Sequence, residues 1–452
     1  MTDVDLLELA RRVVGAAHDR EQLEAYVVRS RDVDVKVFDG EVESLAVAEI
    51  EGVGVRVIAD GRQGYAWSGS LDPEVVDETL ANARDNAGFG SPDDAYVLAS
   101  PADFSGVTAC ELDLWREELL AVDTARKVAL ALELDAATKA FDPRVRGVES
   151  STYGDGAIES AVANSRGVEA RTPRTMCSIS SYAMAGEGAE TRTGSGFSVG
   201  RSFADLDVEE AARDAAERAV RLLGARQPAS RRLPVVLDPL VTRSLLGLVG
   251  SALGGEAIIK GRSLFVSREG EDVAAPHITL VDDPTDANAF GAATHDAEGV
   301  PTRRTELIGN GRLDAFLHNV YTARKAGSTT TGSAIRGGFK SPPGVGARAL
   351  FVVPGELTPE AIMASVPEAL YVQTVSGLHS GTNIVSGDFS VGADGLMVRG
   401  GELAEPVREI TIASTIQRML HDIVHVGNDL RWLPGGGAGM TVLIGDMSIA
   451  GS

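Results

Sequence analysis

Cysteine is nearly absent from this 452-residue chain and occurs only as Cys110 and Cys177. Two cysteines cannot build a disulfide framework, and no Cys-x-x-Cys pair is present, so the composition suits a reducing compartment. No run of about 18 or more apolar residues occurs, so we expect no membrane-spanning helix. Residues 1–5 also lack the basic start and apolar core of a secretory signal. These absences predict a cytoplasmic protein.

Positive charge is scarce as well. The chain carries 42 Lys and Arg against 65 Asp and Glu, which gives a formal net charge of −23. That field repels a phosphate backbone, so nucleic acid is not an expected partner. The hydrophobic fraction of 44% and the charged fraction of 24% are otherwise those of an ordinary globular protein.

The length of the chain exceeds what one hydrophobic core usually organises, so more than one domain is expected. Residues 88–105 are rich in Gly, Pro, Asp and Ser, and residues 225–232 (ARQPASRR) form a second linker-like stretch. We therefore predict an N-terminal α+β domain at 1–105, a central helix-and-sheet domain at 106–226 and a C-terminal β-rich domain at 227–452. The predicted class is α+β, with a mixed sheet-and-helix region followed by a Gly-rich, β-dominated domain.

Hydrophobic periodicity supplies the elements of the first region. An amphipathic helix is predicted over 4–17, with Thr2 or Asp3 as its cap. Alternating β-branched segments predict four strands, and Asp39-Gly40 and Asp60-Gly61 are typical hairpin turns. The strands are predicted at 25–30, 34–38, 43–51 and 53–59. Asp72-Pro73 opens a second helix that runs to about residue 87.

Later segments alternate in the same way. Helices are predicted over 114–140 and 207–224, and strands over 145–151, 157–164, 168–171 and 177–185. In the C-terminal region the pattern predicts a strand at 233–237, a hairpin of 387–398 with 402–408, and a final strand at 440–449.

Residues 245–265 carry the most informative pattern. The first half is an apolar helix, since Leu245, Val249 and Leu253 recur at the spacing of one buried face. The Gly254-Gly255 pair then ends that helix. The sequence Leu-Gly-Gly-Glu at 253–256, followed by Lys-Gly-Arg-Ser-Leu-Phe at 260–265, resembles the TldD/PmbA family of zinc metallopeptidases, once called modulators of DNA gyrase.

The resemblance extends over nearly the whole chain, because several separate motifs match the family in order. They are the N-terminal stretch 35–62, the Glu-Gly-Val-Pro-Thr-Arg-Arg hairpin at 298–304, Val-Ser-Gly-Asp-Phe-Ser at 385–390, Val-Gly-Asn-Asp-Leu at 426–430 and Met-Ser-Ile-Ala-Gly at 447–451.

The family's metal site has no counterpart in this sequence. In the metal-bearing member, TldD, a His-Glu-x-x-x-His helix precedes the Leu-Gly-Gly-Glu segment, and its three positions fall here on Leu246, Gly247 and Ser251. The family's third ligand is a cysteine near the C-terminus, where this chain reads Leu-Pro-Gly-Gly-Gly at 433–437. The chain therefore resembles the metal-free member, TldE (PmbA), with no zinc ligands or catalytic residues of its own. The resemblance implies that zinc is held by a TldD-like partner.

Substrate contacts are predicted just after that helix. Glu256, Lys260, Arg262 and Ser263 are candidates to line a groove that faces the partner's zinc. Glu256 and Lys260 are also four residues apart, so a simple surface ion pair is the alternative interpretation.

Two other sets of residues could bind metal. His421-Asp422-Ile423-Val424-His425 is one carbon short of the His-Glu-x-x-His zinc signature, and a helix would place both histidines on one face. We interpret it as an ordinary core helix that Ser414 and Gln417 cap as a capping box. The acidic stretches at 281–283 and 295–298 could hold a hard cation. We interpret those carboxylates as solvated turn residues.

The resemblance implies a subunit of a TldD/TldE-type zinc metallopeptidase that degrades or processes unfolded or small peptides. Its expected partners are a TldD-like subunit, or a second copy of this chain in isolation, and extended peptides that add as an extra strand to an exposed sheet edge. Two alternatives stay open: a self-sufficient homodimeric hydrolase with an unrecognised site such as His421 and His425, and a non-catalytic peptide-binding scaffold.

Overall fold

The computed structural model describes residues 4–434 and 437–451. Strand accounts for 39% and helix for 25%, so the predicted α+β class with more strand than helix is confirmed. Within the described ranges no helix is long and apolar enough to cross a membrane.

The first half of the chain forms one seven-stranded antiparallel sheet with helices packed on it. Its strands are β1 (Glu21–Phe38), β2 (Glu41–Ala59), β3 (Arg62–Ser68), β4 (Val145–Asn164), β5 (Glu169–Arg171), β6 (Arg174–Ala185) and β7 (Arg192–Gly200). Its helices are α1 (Leu6–Val14), α2 (Pro73–Phe89), α3 (Glu117–Leu120), α4 (Thr124–Phe141) and α5 (Val208–Val220). The order is β3-β2-β1-β4-β6-β7, with β5 beside β4. Because β1 pairs with β4, the predicted units 1–105 and 106–226 share this sheet.

The two faces of the sheet have different neighbours. Successive side chains of a strand point to opposite faces. Leu23 and Val27 of β1 therefore pack with α1 and α2, and Val35 packs with α4 and α5. Glu24 and Tyr26 point the other way, where both contact Arg336 of the C-terminal region. The sheet thus lies between a helical layer and the C-terminal half of the chain.

Two long strands replace the four short ones predicted for the N-terminal region. The turns at Asp39-Gly40 and Asp60-Gly61 are confirmed, with positive φ at all four residues. The breaks predicted near residues 31–33 and 52 are wrong, because β1 and β2 stay paired through both stretches. Gly52 lies inside β2 for a packing reason, since a Cβ there would approach the Phe339 ring to 2.5 Å.

In the first half of the chain the predicted helices lie where the structure has them, but their ends differ. The cap of α1 is Asp5, whose carboxylate accepts from the amides of Leu7 and Glu8, whereas Thr2 and Asp3 lie outside the described residues. The helix predicted over 114–140 is divided, because Asp123 starts α4 as a new N-cap after the short α3. The predicted α2 and α5 are confirmed.

The C-terminal half contains many short strands. They are β8 (Arg231–Leu237), β9 (Leu280–Asp282), β10 (Thr305–Gly309), β11 (Arg312–Leu313), β12 (Ala334–Ile335), β13 (Gly344–Val345), β14 (Leu350–Val352), β15 (Glu368–Ser376), β16 (Asp388–Arg399), β17 (Glu402–Thr415), β18 (Ile423–Val426), β19 (Arg431–Trp432), β20 (Ala438–Gly439) and β21 (Val442–Ala450). The helices are α6 (Pro239–Ala252), α7 (Gly255–Ile259), α8 (Val320–Ala326), α9 (Pro359–Ala364), α10 (Leu378–Gly381) and α11 (Ile416–His421). The predicted β16–β17 hairpin and final strand are confirmed.

The main C-terminal sheet closes on itself. Its strands follow the order β17-β16-β15-β8-β21, and β21 pairs again with β17 to complete a ring. Closure leaves this ring few free edges to which an extended peptide could add, whereas the smaller sheet β11-β10-β9-β14 stays open. Helix α6 packs against the ring through Val241, Leu245 and Val249, which belong to the largest hydrophobic core of the chain.

Candidate functional site

Helix α6 is fixed at its start by Asp238. The carboxylate caps the helix by accepting from the amide of Leu240 at 2.9 Å. It also accepts from Arg218 and from the hydroxyl of Tyr371, each at 2.5 Å. Pro239 occupies the first helical position, where a missing N–H costs nothing. These hydrogen bonds of the buried Asp238 hold the start of α6 against α5 and β15.

A cleft of about 440 Å³ lies against the exposed side of α6. The three positions that align with the family's His-Glu-x-x-x-His motif, Leu246, Gly247 and Ser251, all line it. So do Gly437 and Ala438, from the segment where the family's third ligand is expected. The structure therefore brings together the two parts of the sequence that the resemblance singled out. The remaining described lining residues are Arg243, Ser244, Gly250, Ile335, Val345, Gly346, Ala347, Leu350 and Leu378.

The chemistry of the described cleft lining does not fit a zinc ion. A zinc centre needs imidazole, thiolate or carboxylate ligands, and none of these groups is among the described residues that line the cleft. The two serines are not free nucleophiles, because Ser244 donates to the Leu240 carbonyl at 3.0 Å and Ser251 to the Gly247 carbonyl at 2.8 Å. Arg243 is the charged residue of the described lining, and burial lowers its pKa. Across all described residues, no group of three or more His, Cys, Asp or Glu is placed to hold a metal ion.

The Gly-Asn-Asp motif positions the far wall of the cleft. Asp429 accepts from the Thr441 amide at 3.0 Å and from its hydroxyl at 2.8 Å, and the amide of Gly427 donates to the Thr441 carbonyl at 2.7 Å. A Cβ on Gly427 would lie 2.2 Å from the Asp429 carboxylate, so only glycine fits. This clamp closes the loop that carries Gly437 and Ala438. Gly435 and Gly436 of the same loop lie outside the described residues.

The predicted substrate contacts lie beside the cleft rather than in its described lining. Glu256 and Lys260 form an exposed ion pair across one turn, and Arg262 is exposed beside them. Ser263 is buried, with its hydroxyl donating to the Ala252 carbonyl at 2.6 Å and accepting from the Phe265 amide at 3.0 Å. Ser263 thus fastens the end of α6, while substrate contact by Glu256, Lys260 and Arg262 stays a prediction.

The predicted helix over His421–His425 is wrong. Helix α11 ends at His421, and His425 lies on strand β18, opposite Leu443 of β21. The cap is Thr415, which accepts from the Arg418 amide at 3.3 Å, and not the predicted pair of Ser414 and Gln417. Ile423, Val424 and Val426 are β-branched, which favours strand over helix. The histidines therefore do not share a helix face.

The interpretation of the loop acids as solvated is also wrong. Asp296 and Glu298 are 4% and 0% exposed, and Asp282 is 2% exposed. Asp296 accepts from the amides of Glu298, Val300 and Ala334. Burial, together with the charge of Glu298, raises the pKa of Asp296 to about 7. These carboxylates are structural, because backbone amides or guanidinium groups take up their oxygens.

Asp282 gives a pH-dependent prediction. One carboxylate oxygen accepts from the amides of Arg348 and Ala349 at 2.9 and 2.7 Å, and burial raises the pKa to about 6. The protonated Asp282 carboxyl therefore stabilises the folded state at pH values below the pKa of an unfolded aspartate. This contribution to the free energy of unfolding is lost as pH rises through about 6. The amide oxygen of Asp282→Asn can accept both bonds without ionising. We expect the variant to exceed wild type by about 1–3 kcal/mol at neutral to alkaline pH.

The measurement is urea unfolding of both proteins across that pH range. The gap between them should widen as pH rises from the ordinary aspartate range and then level off. Asp94→Asn, at an exposed acid, is the matched control and should show no such widening. A constant gap would contradict the assigned ionisation.

Sequence reasoning missed a buried charge network that joins the two halves of the chain. Arg56 of β2 contacts Glu24 of β1 at 2.6 Å and Glu298 at 3.2 Å. Glu24 also pairs with Arg336, and Glu298 accepts from the Val320 amide at 2.9 Å. All four charged side chains are at most 4% exposed. The one signal in the sequence is a charge at Arg56 within a strand segment that is otherwise apolar or glycine.

Comparisons with known proteins agree with this architecture. Residues 23–87, 117–223 and 230–451 match domain 1, the central domain and the C-terminal domain of the PmbA/TldA metallopeptidases. Metalloprotease PmbA of Escherichia coli O157:H7 is 28% identical over 430 residues, covering 95% of this chain and 92% of that protein. A metalloprotease of Methanothermobacter thermautotrophicus is 28% identical over 434 residues, covering 92% and 90%.

Solved structures show the same fold. A Thermotoga maritima protein named for a proposed modulation of DNA gyrase has a TM-score of 0.89 at 26% identity, covering 98% of this chain and 99% of that one. TldE from Thermococcus kodakarensis has a TM-score of 0.86 at 23% identity, covering 99% of each chain. All three family domains match in order, and the relatives align over nearly the full length of the chain. The chain belongs to the PmbA/TldD family of metallopeptidases.

Proposed function

We propose that this chain is the TldE/PmbA-like subunit of a two-chain zinc metallopeptidase that degrades or processes unfolded or small peptides in the cytoplasm. In this proposal a TldD-like partner holds the zinc and performs hydrolysis. The chain described here binds the peptide and completes the chamber. The observation that carries the proposal is the α6 cleft, where the family's motif positions are occupied by Leu246, Gly247 and Ser251.

The shape and lining of the cleft support peptide binding. Short extended segments at 345–347 and 437–438 line it together with the apolar side chains of Leu246 and Leu378. Extended backbone can pair with the backbone of a peptide and so tolerate many sequences. Arg243 adds a guanidinium that no described carboxylate engages, which suits a backbone carbonyl or a terminal carboxylate.

The edge of the N-terminal sheet supports a role as a subunit. Strand β3 covers β2 only from Val53 onward, so the outer edge of residues 41–51 has no neighbouring strand among the described residues. Along that stretch Leu45, Val47 and Ile50 are 47–52% exposed. A long apolar edge of this kind is a ready surface for pairing with another chain. The proposed occupant is the partner subunit, with a second copy of this chain as the occupant in isolation.

The test compares the chain alone with a reconstituted pair. Purified protein, reloaded with zinc and dialysed, should contain substoichiometric metal and should not cleave casein or short peptides. Addition of a family member with an intact His-Glu-x-x-x-His helix should give chelator-sensitive hydrolysis. That activity should disappear when the partner's motif glutamate is replaced by glutamine.

Two results would point elsewhere. Chelator-sensitive cleavage by the lone chain, lost in a His421→Ala/His425→Ala variant, would establish the self-sufficient hydrolase. Peptide binding without association with any TldD-like protein would establish the non-catalytic scaffold.

A further inference from the structure

We propose that a second pocket, distinct from the α6 cleft, binds the carboxylate of a small organic acid or of a short peptide's C-terminus. The pocket has a volume of about 360 Å³ and is lined by residues 112–115, by residues of β4, β5 and β6, and by the C-terminal residues 292–297, Arg336 and Arg348. It shares no described lining residue with the cleft. The proposal is therefore independent of the proposed subunit role.

Two arginines give the pocket its charge. Arg174 is the first residue of β6 and pairs with Ile158 of β4, but its side chain has no hydrogen bond or ion pair with any described residue. Arg348 donates to the Ala334 carbonyl at 3.2 Å, while its buried Nε has no hydrogen-bond partner among the described residues. Burial, and then the nearby positive charge of Arg348, lowers the pKa of Arg174. Neither guanidinium forms an ion pair with a described carboxylate, although the charge of Arg348 also acts on buried Asp282, in a chain of net charge −23.

The other charged side chains of the pocket are already satisfied. Arg336 pairs with Glu24, and Arg171 pairs with Asp5. Asp113 pairs with Arg116 at 2.7 Å.

Two titratable groups complete the lining. Both oxygens of Asp296 accept from backbone amides. Burial lowers the pKa of His295, so this ring is neutral near neutral pH and adds no competing charge. Arg174 and Arg348 are therefore the arginines of the lining that form no ion pair with a described carboxylate.

The walls indicate the kind of anion. Guanidinium groups bind carboxylates through two parallel hydrogen bonds, which compensates the cost of burying each charge. Leu112, Leu114, Trp115 and Ile158 supply apolar surface around that charge. A volume of about 360 Å³ suits a ligand the size of an acylated amino acid. The combination fits a carboxylate on an apolar body better than a small inorganic ion.

The experiment uses the full chain and N-acetyl-L-phenylalanine, with N-acetyl-L-phenylalaninamide as the neutral probe of the same shape. Calorimetric titration should detect the acid and not the amide. Arg174→Gln should weaken binding of the acid roughly 10- to 100-fold, the value of one charge-assisted pair. Arg146→Gln, at an arginine on β4 whose side chain is 60% exposed, is the control and should bind as wild type does.

A stability measurement separates this role from a structural one. Because Arg174 has no described partner, Arg174→Gln removes an uncompensated charge and should not lower the unfolding temperature of the free protein. At the same concentration, the acid should raise the unfolding temperature of wild type and raise that of Arg174→Gln by much less.

Further probes identify the source of the carboxylate. A tripeptide with a free C-terminus that binds more tightly than the acetylated amino acid would identify a peptide end as the ligand, and the reverse order would identify a free acid. Equal binding of acid and amide, full binding by Arg174→Gln, or a larger response to inorganic phosphate would overturn the proposal.

Discussion

Replacing Arg56 by methionine should lower the free energy of unfolding by about 3–5 kcal/mol, the cost of leaving a buried charge without its partner. Glu24 would keep Arg336, but Glu298 would keep only the Val320 amide while 0% exposed. Glu298 lies in the C-terminal half of the chain and Arg56 in the N-terminal sheet. The substitution should therefore weaken the contact between the two halves. Methionine fills similar space, so the effect reports charge rather than a cavity.

Urea unfolding measures this loss, and two variants isolate its cause. Arg56→Met/Glu298→Gln removes the orphaned charge and should recover part of the stability. Arg146→Met, at an exposed arginine on the same sheet, should change stability by less than about 0.5 kcal/mol. A loss that the double variant does not relieve would show that Arg56 acts through packing and not through charge.

Local signals made much of this fold predictable. The Asp-Gly turns fixed the hairpins of β1 with β2 and of β2 with β3, because few other dipeptides adopt positive φ at both positions. The apolar spacing of 245–253 placed α6 in the core, and family motifs identified the two segments that meet at the cleft. Each of these features depends on residues close together in sequence or on a known pattern.

Features that depend on distant residues were not predictable. Arg56 and Glu298 are 242 positions apart, and Arg336 and Glu24 are 312 positions apart. Periodicity carries no information about such pairs. The loop acids were therefore interpreted as solvated, although the C-terminal half covers them. The helix predicted over His421–His425 is wrong for a different reason, since the apparent capping box of Ser414 and Gln417 favours a helix, whereas the β-branched Ile423 and Val424 form a strand.

The family's motif positions indicate the two segments that meet at the cleft, but not the chemistry of its lining. Alignment with the family's motif indicated where to look, but only the structure shows that the serines are bonded to their own helix and that the described lining holds no metal ligand. At the family's motif positions the cleft is thus lined by a leucine, a glycine and a serine bonded to its own helix. A purely structural origin for that space is testable, because filling it should then have no effect on peptide binding.

Gly247→Trp should reduce peptide affinity by at least about ten-fold and suppress hydrolysis by the reconstituted pair to a similar degree. A Cβ at Gly247 meets no described atom within 4 Å, so the indole would extend into the cleft without straining the helix. Replacing a helical glycine also favours the helix, by up to about 1 kcal/mol. We therefore expect binding to fall while the unfolding temperature stays level or rises.

Gly88→Trp is the matched control, because Gly88 is likewise an exposed helical glycine with nothing within 4 Å of its Cβ position. Fluorescence anisotropy with a labelled unfolded peptide measures affinity for the lone chain, and peptide cleavage measures activity of the pair. If Gly247→Trp and Gly88→Trp both behave as wild type, peptides do not pass over α6. The peptide-binding role would then have to move to another surface, even though the family assignment would stand.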